Sequence, residues 1–120
     1  MVYADTNFFI SFMNSGDPLH QEALKIYSKY KDELETSMLA IAELLNGCEK
    51  RELDPEIIVS SVFQMSVVSG ITLEQALRAA HYMKKKNLSA IDALHASLSN
   101  FEIISSDKDF DKIDVGRIWI

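Results

Sequence analysis

The sequence predicts an α/β fold in which short parallel strands form a central sheet between two layers of helices. Short apolar runs of strand length alternate with segments whose apolar residues recur at helical spacing. In addition, Asp5 and Asp107 follow the ends of two of the predicted strands, where ligands bind in parallel sheets. We therefore expect a three-layer α/β/α domain with a parallel sheet of four to five short strands.

Length and composition indicate one globular domain over residues 1–120. Hydrophobic residues make up 48% of the chain and charged residues 25%, which excludes a disordered or fibrous protein. No apolar run reaches the roughly 18 residues that span a bilayer, and the charge at Asp5 interrupts a secretory signal. A single cysteine, Cys48, cannot form an intrachain disulfide. These features predict a cytoplasmic protein without a membrane partner.

The elements of the first half follow from apolar spacing and from signals that start helices. Residues 2–4 predict a buried strand. Asp17 and Pro18 predict the N-cap and the first residue of a helix, whose apolar residues recur at helical spacing as far as Leu34. Residues 39–47 predict a second helix, because apolar side chains fill nearly every position there.

Similar signals organise the middle of the chain. Residues 54–63 begin with Asp-Pro and predict another capped helix. Thr72 and Gln75 form a capping box, ahead of a helix that ends in the three lysines at 84–86. These lysines either form a solvated helix end, which is the favoured interpretation, or contact the backbone of a nucleic acid.

The last part of the chain predicts one helix and two strands. Ser89 opens a helix that carries Asp92 and His95. Residues 101–104 and residues 116–120 predict strands. The apolar neighbours of His95 on its helix face favour a hydrogen-bonded core histidine over a catalytic His-Asp dyad.

Acidic residues at strand ends and in helices raise the question of function: Asp5, Glu43, Asp92 and Asp107. Each has a structural explanation of its own, as a helix cap, a partner of a helix dipole or a solvent-facing charge. A hard cation explains the four together, because Mg²⁺ and Mn²⁺ prefer carboxylate oxygens and close carboxylates repel each other without a cation. The net charge of −6 argues against a broad basic surface for nucleic acid, but it allows a local site.

The ordered set of motifs resembles the PIN domain family of metal-dependent ribonucleases, and most of all its short prokaryotic VapC-type toxins. The matching stretches are DTN after the first strand, SMLAIAELLNG, LSAIDALHAS and ISSDKDF, and together they span nearly the whole chain. The resemblance implies a pocket of acidic metal ligands and catalytic groups: Asp5, Glu43, Asp92 and Asp107, with Asp109 as a fifth metal ligand. It also implies polar side chains that support the metal's water shell or the scissile phosphate: Thr6, Asn7 and Ser105. Many family members have Thr where Ser105 stands, and the hydroxyl is kept.

This resemblance implies a Mg²⁺- or Mn²⁺-dependent endoribonuclease. One or two ions, held by Asp5, Asp92 and Asp107, are expected to lower the pKa of a bound water and to polarise the phosphate. Glu43 is expected to orient that water or to bind the second ion. Hydrolysis then leaves a 5′-phosphate and a 3′-hydroxyl. The resemblance also implies an RNA substrate, a small antitoxin protein as partner, and a homodimer or higher homo-oligomer.

Two other classes of protein are alternatives to the nuclease. A catalytically inactive PIN-like module that binds RNA or protein is the main alternative, although a self-repelling acidic pocket gives a pure binder no advantage. Phosphoryl-transfer domains of the receiver or haloacid-dehalogenase type also place acids after strands. A haloacid-dehalogenase domain needs a second acid two residues after the acid of its first strand, but Asp5 is followed by Thr6 and Asn7. A receiver domain needs a phosphate-accepting aspartate near mid-chain, but nothing near Asp54 follows an apolar strand. Both types therefore fit less well.

Overall fold

The computed structural model describes residues 1–118, and it places one parallel sheet between two layers of helices. The strands are β1 (Val2–Ala4), β2 (Leu34–Ser37), β3 (Val67–Ser69), β4 (Glu102–Ile104) and β5 (Gly116–Ile118), in the spatial order β3-β2-β1-β4-β5. The helices are α1 (Thr6–Met13), α2 (His20–Tyr30), α3 (Met38–Gly47), α4 (Pro55–Met65), α5 (Leu73–Lys86) and α6 (Ala90–Leu98), with a 3₁₀ helix at Lys108–Lys112. The predicted α/β class and the three layers are therefore confirmed. No helix within residues 1–118 combines the length and the apolar character needed to cross a membrane.

The strands separate two apolar cores, because successive side chains of a strand point to opposite faces of the sheet. In β1, Val2 and Ala4 pack with α1 to α4, whereas Tyr3 packs with α5, α6 and the 3₁₀ helix. β4 repeats this pattern, with Ile104 in the first core and Ile103 in the second. A central strand that is buried on both faces needs a continuous apolar run, and such runs at β1 and β4 made these strands predictable.

Three predicted helix starts are confirmed by side-chain hydrogen bonds to backbone N–H groups that lack a partner in the first turn. Asp54 caps α4. Thr72 and Gln75 form both hydrogen bonds of the capping box at the start of α5. The hydroxyl of Ser89 accepts a hydrogen bond from the backbone N–H of Asp92, 3.2 Å away, at the start of α6.

The predicted start of α2 is wrong by two residues. The helix begins at His20, after Leu19 as its N-cap, and not at Pro18 after Asp17. Asp17 closes a turn instead: its carboxylate accepts from the backbone N–H of Leu19 at 2.8 Å, and its carbonyl accepts from the N–H of His20 at 3.0 Å. This turn satisfies the first donors before the α-helical pattern begins.

The prediction that Leu34 belongs to α2 is also wrong. α2 ends at Tyr30, and Asp32 adopts the left-handed conformation with φ 68°, which turns the chain. Leu34 then opens β2, pairs with Val2 and is only 1% exposed. Because Leu34 follows Tyr30 by four residues, helical spacing alone could not separate the two elements.

Two further differences concern strands. The sequence patterns do not predict β2 or β3. β3 lacks the usual signals of a strand, because it is neither buried throughout nor buried at alternate residues, and its Val67 is 54% exposed. The predicted strand at 101–104 begins one residue later, because Phe101 lies in the left-handed region with φ 72°. The last strand is present as Gly116–Ile118, and its predicted continuation over 119–120 lies outside the described residues.

Candidate active site

The candidate site lies at the carboxyl ends of β1 and β4. β1 pairs with β2 on one side and with β4 on the other, so the chain order of the sheet changes direction between β1 and β4. Such a switch point opens a crevice beyond the strand ends. Asp5 follows β1, Asp107 lies beyond the end of β4, and Asp92 lies in the first turn of the helix that leads into β4. The fold thus brings acids from distant parts of the chain to one edge of the sheet.

Three carboxylates form what we call the acidic cluster: Asp92, Asp107 and Asp109. One oxygen from each lies within 4.8 Å of the others. Burial raises the pKa of Asp92, and the negative charges of Asp107 and Asp109 raise it further. Asp107 also caps the 3₁₀ helix, since its carboxylate accepts from the backbone N–H of Asp109 at 2.9 Å. An oxygen-only donor set with this mutual repulsion fits a hard divalent cation such as Mg²⁺ or Mn²⁺.

Asp5 is joined to the acidic cluster through Ser105. One oxygen of Asp5 accepts from the backbone N–H groups of Asn7 and Phe8 and so caps α1. The other accepts from the Ser105 hydroxyl at 2.5 Å, and that hydroxyl oxygen accepts from the backbone N–H of Asp107 at 2.9 Å. Burial raises the pKa of Asp5 to about 6, although these hydrogen bonds oppose the rise. The capping and site interpretations of Asp5 are therefore compatible with each other.

Glu43 lies outside the acidic cluster and bonds to Thr6 and His95. The Thr6 hydroxyl donates to Oε1 of Glu43 at 2.6 Å, and Nε2 of His95 lies 2.5 Å from the same oxygen. Burial alone raises the pKa of Glu43, but the hydrogen bonds from His95 and Thr6 outweigh it and bring the net pKa below its usual value. Glu43 is therefore held as a carboxylate by specific donors, which a plain solvent-facing residue would lack.

A buried hydrogen-bond chain continues from His95 through the sheet. Nδ1 of His95 lies 2.7 Å from the hydroxyl of Tyr3, which lies 2.8 Å from the hydroxyl of Ser37. An ionised Glu43 only accepts, so Nε2 of His95 carries a proton, and a neutral His95 accepts from Tyr3 at Nδ1. Burial raises the pKa of Tyr3 above its usual range, so its hydroxyl keeps its proton. His95, 3% exposed, is thus the predicted hydrogen-bonded core histidine.

Sequence reasoning missed that Tyr3 and Ser37 support the site and that His95 touches Glu43. Helical spacing predicts that His95 faces the core, and the alternation of side chains along β1 predicts that Tyr3 is buried on one face of the sheet. No local pattern, however, shows that two side chains 52 residues apart meet. Asn7, predicted as a polar support, is exposed at the start of α1. Among residues 1–118 its side chain makes no hydrogen bond, and only its backbone N–H bonds to Asp5.

Replacing Tyr3 by Phe should lower the free energy of unfolding by about 1–3 kcal/mol, because the buried Ser37 hydroxyl and the Nδ1 of His95 both lose their partner. Urea denaturation measures this change. Tyr82→Phe is the matched control, since within residues 1–118 the Tyr82 hydroxyl makes one long hydrogen bond, of 3.4 Å to Asp114. Its loss should cost about 1 kcal/mol or less. Equal destabilisation by the two substitutions would contradict the buried chain.

Three solved structures share this architecture at low sequence identity. VapC20 from Mycobacterium tuberculosis, a toxin that cleaves the sarcin-ricin loop, is 17% identical with a TM-score of 0.81, over 92% of this chain and 93% of that chain. A toxin-antitoxin complex from Klebsiella pneumoniae is 22% identical with a TM-score of 0.77, over 98% and 96%. VapBC2 from Rickettsia felis, bound to a DNA fragment from its promoter, is 15% identical with a TM-score of 0.72, over 100% and 99%. At these identities the likeness shows the fold alone.

Comparison of sequences identifies the family. No curated protein matches the chain in sequence. The family model of the PIN domain, however, matches residues 2–116, a range that includes every predicted site residue from Asp5 to Asp109. Together with the sheet order and the acids at its switch point, this match shows that the chain belongs to the PIN domain family.

Proposed function

We propose that this protein is a metal-dependent endoribonuclease and the toxin of a VapBC-type toxin-antitoxin pair. The acidic cluster carries the proposal, because its three carboxylate oxygens lie within 4.8 Å of one another at the switch point of a PIN domain sheet. Membership of the PIN domain family supports nuclease chemistry. The toxin assignment is supported by the similar structures, which are a toxin that cleaves RNA and two toxin-antitoxin assemblies.

The proposed metal ligands are the acidic cluster together with Asp5, and Glu43 joins them where a second ion binds. When bound, one or two Mg²⁺ or Mn²⁺ ions would lower the pKa of a coordinated water and stabilise negative charge on the phosphate. The protein contributes position: Ser105 fixes one oxygen of Asp5 and connects it to Asp107. A reaction of this kind leaves a 5′-phosphate and a 3′-hydroxyl.

Glu43 is proposed to orient the attacking water. Thr6 and His95 both bond to its Oε1, so Oε2 remains available to accept a hydrogen bond from that water. The low pKa of Glu43 keeps this oxygen an acceptor. Asn7, exposed beside Asp5, is proposed to contact the scissile phosphate.

The proposed setting is the cytoplasm, with RNA as substrate, a small antitoxin as inhibitor and self-association into a homodimer or higher oligomer. Self-association needs an apolar surface, and Tyr27 and Tyr30 of α2 do not offer one because they pack against the core. Phe63 on α4, by contrast, is 54% exposed and offers an open apolar surface.

The proposal is tested by incubating the purified protein with a structured RNA pool in Mg²⁺, in Mn²⁺ and in excess chelator. We expect cleavage with either metal, none with chelator, and product ends that carry a 5′-phosphate. RNA binding without cleavage under all three conditions would contradict the proposed nuclease activity and support a catalytically inactive binding module. Because fold and family are already known, the assay isolates the chemistry.

A further inference from the structure

A second concave surface, of about 550 Å³, lies between α5 and the chain segments before β4 and after the 3₁₀ helix. We call it the basic groove, because most of its lining is basic or aromatic: Arg78, His81, Lys86, Lys112, Tyr82 and Phe101. The one acid in its lining, Asp114, accepts a hydrogen bond from the Tyr82 hydroxyl at 3.4 Å. In a chain with net charge −6, the groove is a local concentration of positive charge.

Phe101 holds an unusual place in this groove. The residue is 52% exposed, and its backbone lies in the left-handed region with φ 72°, which is rare for a bulky residue. A backbone hydrogen bond from Gly116 to the Phe101 carbonyl, at 2.8 Å, fixes this conformation. The Arg78 guanidinium lies 5.8 Å from the ring centroid. The result is a half-exposed aromatic side chain with a guanidinium over its ring.

The charges of the groove are available to an anionic ligand. Lys86 makes no ion pair with an acid in the part of the chain that the structure describes. The one acid that pairs with Arg78 among the described residues is the exposed Glu74 at 3.7 Å, a pair that water screens, and Arg78 also donates a long 3.5 Å hydrogen bond to the carbonyl of Ser97. An anionic ligand can therefore gain from these cations without first displacing a buried partner.

The groove also adjoins the acidic cluster. Nζ of Lys112 lies 3.3 Å from the carboxylate of Asp109, and both side chains are about half exposed, at 49% and 51%. Lys112 lines the groove and Asp109 belongs to the cluster. A strand with one phosphate at the cluster can thus continue into the groove.

We propose that the basic groove binds a single-stranded segment of the RNA next to the cleaved bond, with a base stacked on Phe101 and phosphates near Lys86 and Lys112. This inference rests on the proposed function, which supplies RNA at the cluster. Single-strand sites elsewhere combine cations that follow the backbone with aromatic rings on which bases stack. An acidic protein segment would use the same cations, but it would gain less from the open ring.

Fluorescence anisotropy tests the groove with a labelled, unstructured RNA of about 12 nucleotides, a length in the range of such sites. All proteins carry Asp92→Asn, so that no cleavage intervenes. Adding Phe101→Leu, which keeps an apolar side chain but removes the ring, should weaken binding about tenfold. Adding Lys86→Gln should reduce the slope of log affinity against log salt concentration by about 0.7. Lys25→Gln, exposed on α2 in the other helix layer, should change neither quantity.

Unchanged affinity and salt slope in both groove variants would overturn the inference, as would failure of the parent protein to bind the RNA. If a labelled Glu-rich peptide loses affinity for these variants while the RNA does not, the groove takes an acidic protein instead. Cleavage is scored separately: an inactive wild type contradicts the proposed function, whereas an active wild type with insensitive groove variants contradicts the groove alone.

Discussion

Asp92→Asn should reduce metal-dependent RNA cleavage by at least about 100-fold, because metal catalysis contributes several kcal/mol and each 1.36 kcal/mol changes the rate tenfold. The substitution keeps the size of the side chain and removes one of the three charges of the acidic cluster. Burial raises the pKa of Asp92, with further contributions from Asp107 and Asp109, so the charged form is disfavoured in the folded protein. The metal-free variant should therefore melt at the same temperature as wild type or higher.

Asp111→Asn is the control for this experiment. Asp111 lies in the same 3₁₀ helix as Asp109 but outside the acidic cluster, and its carboxylate pairs with Arg117 at 3.0 and 3.1 Å. The Asp111 side chain is 53% exposed, so water screens its charge, and an asparagine there should change stability little. Initial cleavage rates and melting curves are measured side by side. Equal loss of activity in both variants, or a large fall in the melting temperature of Asp92→Asn, would show that the cluster is not the catalytic centre.

Through Asp5 alone, the metal-free protein should be about 3 kcal/mol more stable below pH 3.8 than at neutral pH. Burial raises the pKa of Asp5 to about 6 in the folded protein, whereas an unperturbed aspartate, as in the unfolded chain, has a pKa of 3.8. The folded state therefore binds the proton more tightly than the unfolded state. This stabilisation is complete below the unfolded pKa and is lost as the pH rises through about 6.

Urea denaturation of wild type and Asp5→Asn across this pH range, without metal, isolates the contribution. The amide keeps an oxygen to cap α1 but cannot ionise, so the difference between the two profiles belongs to the charge of Asp5. Added Mn²⁺ at neutral pH should stabilise wild type more than the variant, because a cation favours the carboxylate. Asp54→Asn changes an exposed cap of α4 in the same way and controls for capping. Parallel profiles for wild type and Asp5→Asn would contradict the prediction.

The parts of the fold that depend on neighbouring residues could be predicted from the sequence. β1 was evident as an apolar run, and the starts of α4, α5 and α6 follow from side chains that bond to backbone groups two or three residues away. β2 and β3 could not be predicted, because their place is decided by pairing with a distant strand. Leu34 shows this: its spacing suits α2, but its burial is achieved beside Val2.

For the site, the acids and a shared pocket could be named from the resemblance, but the contacts between the individual side chains could not. The structure brings Asp92, Asp107 and Asp109 together, joins Asp5 to them through a serine, and ties Glu43 to a histidine. The contacts between residues far apart in the chain depend on the order of strands in the sheet. Sequence motifs indicate the strand order only through the resemblance to a family whose fold is known.

The chain of hydrogen bonds from Ser37 through Tyr3 and His95 to Glu43 has a mechanical consequence. It connects β2, β1, α6 and α3, and all of its members except Glu43 are almost fully buried. Local opening of any one of these elements would expose unpaired polar groups of the others, so we expect them to open as one cooperative unit. An inhibitor would then have to bind over the entrance of the pocket, because separating the elements that line it would require the cooperative unit to unfold.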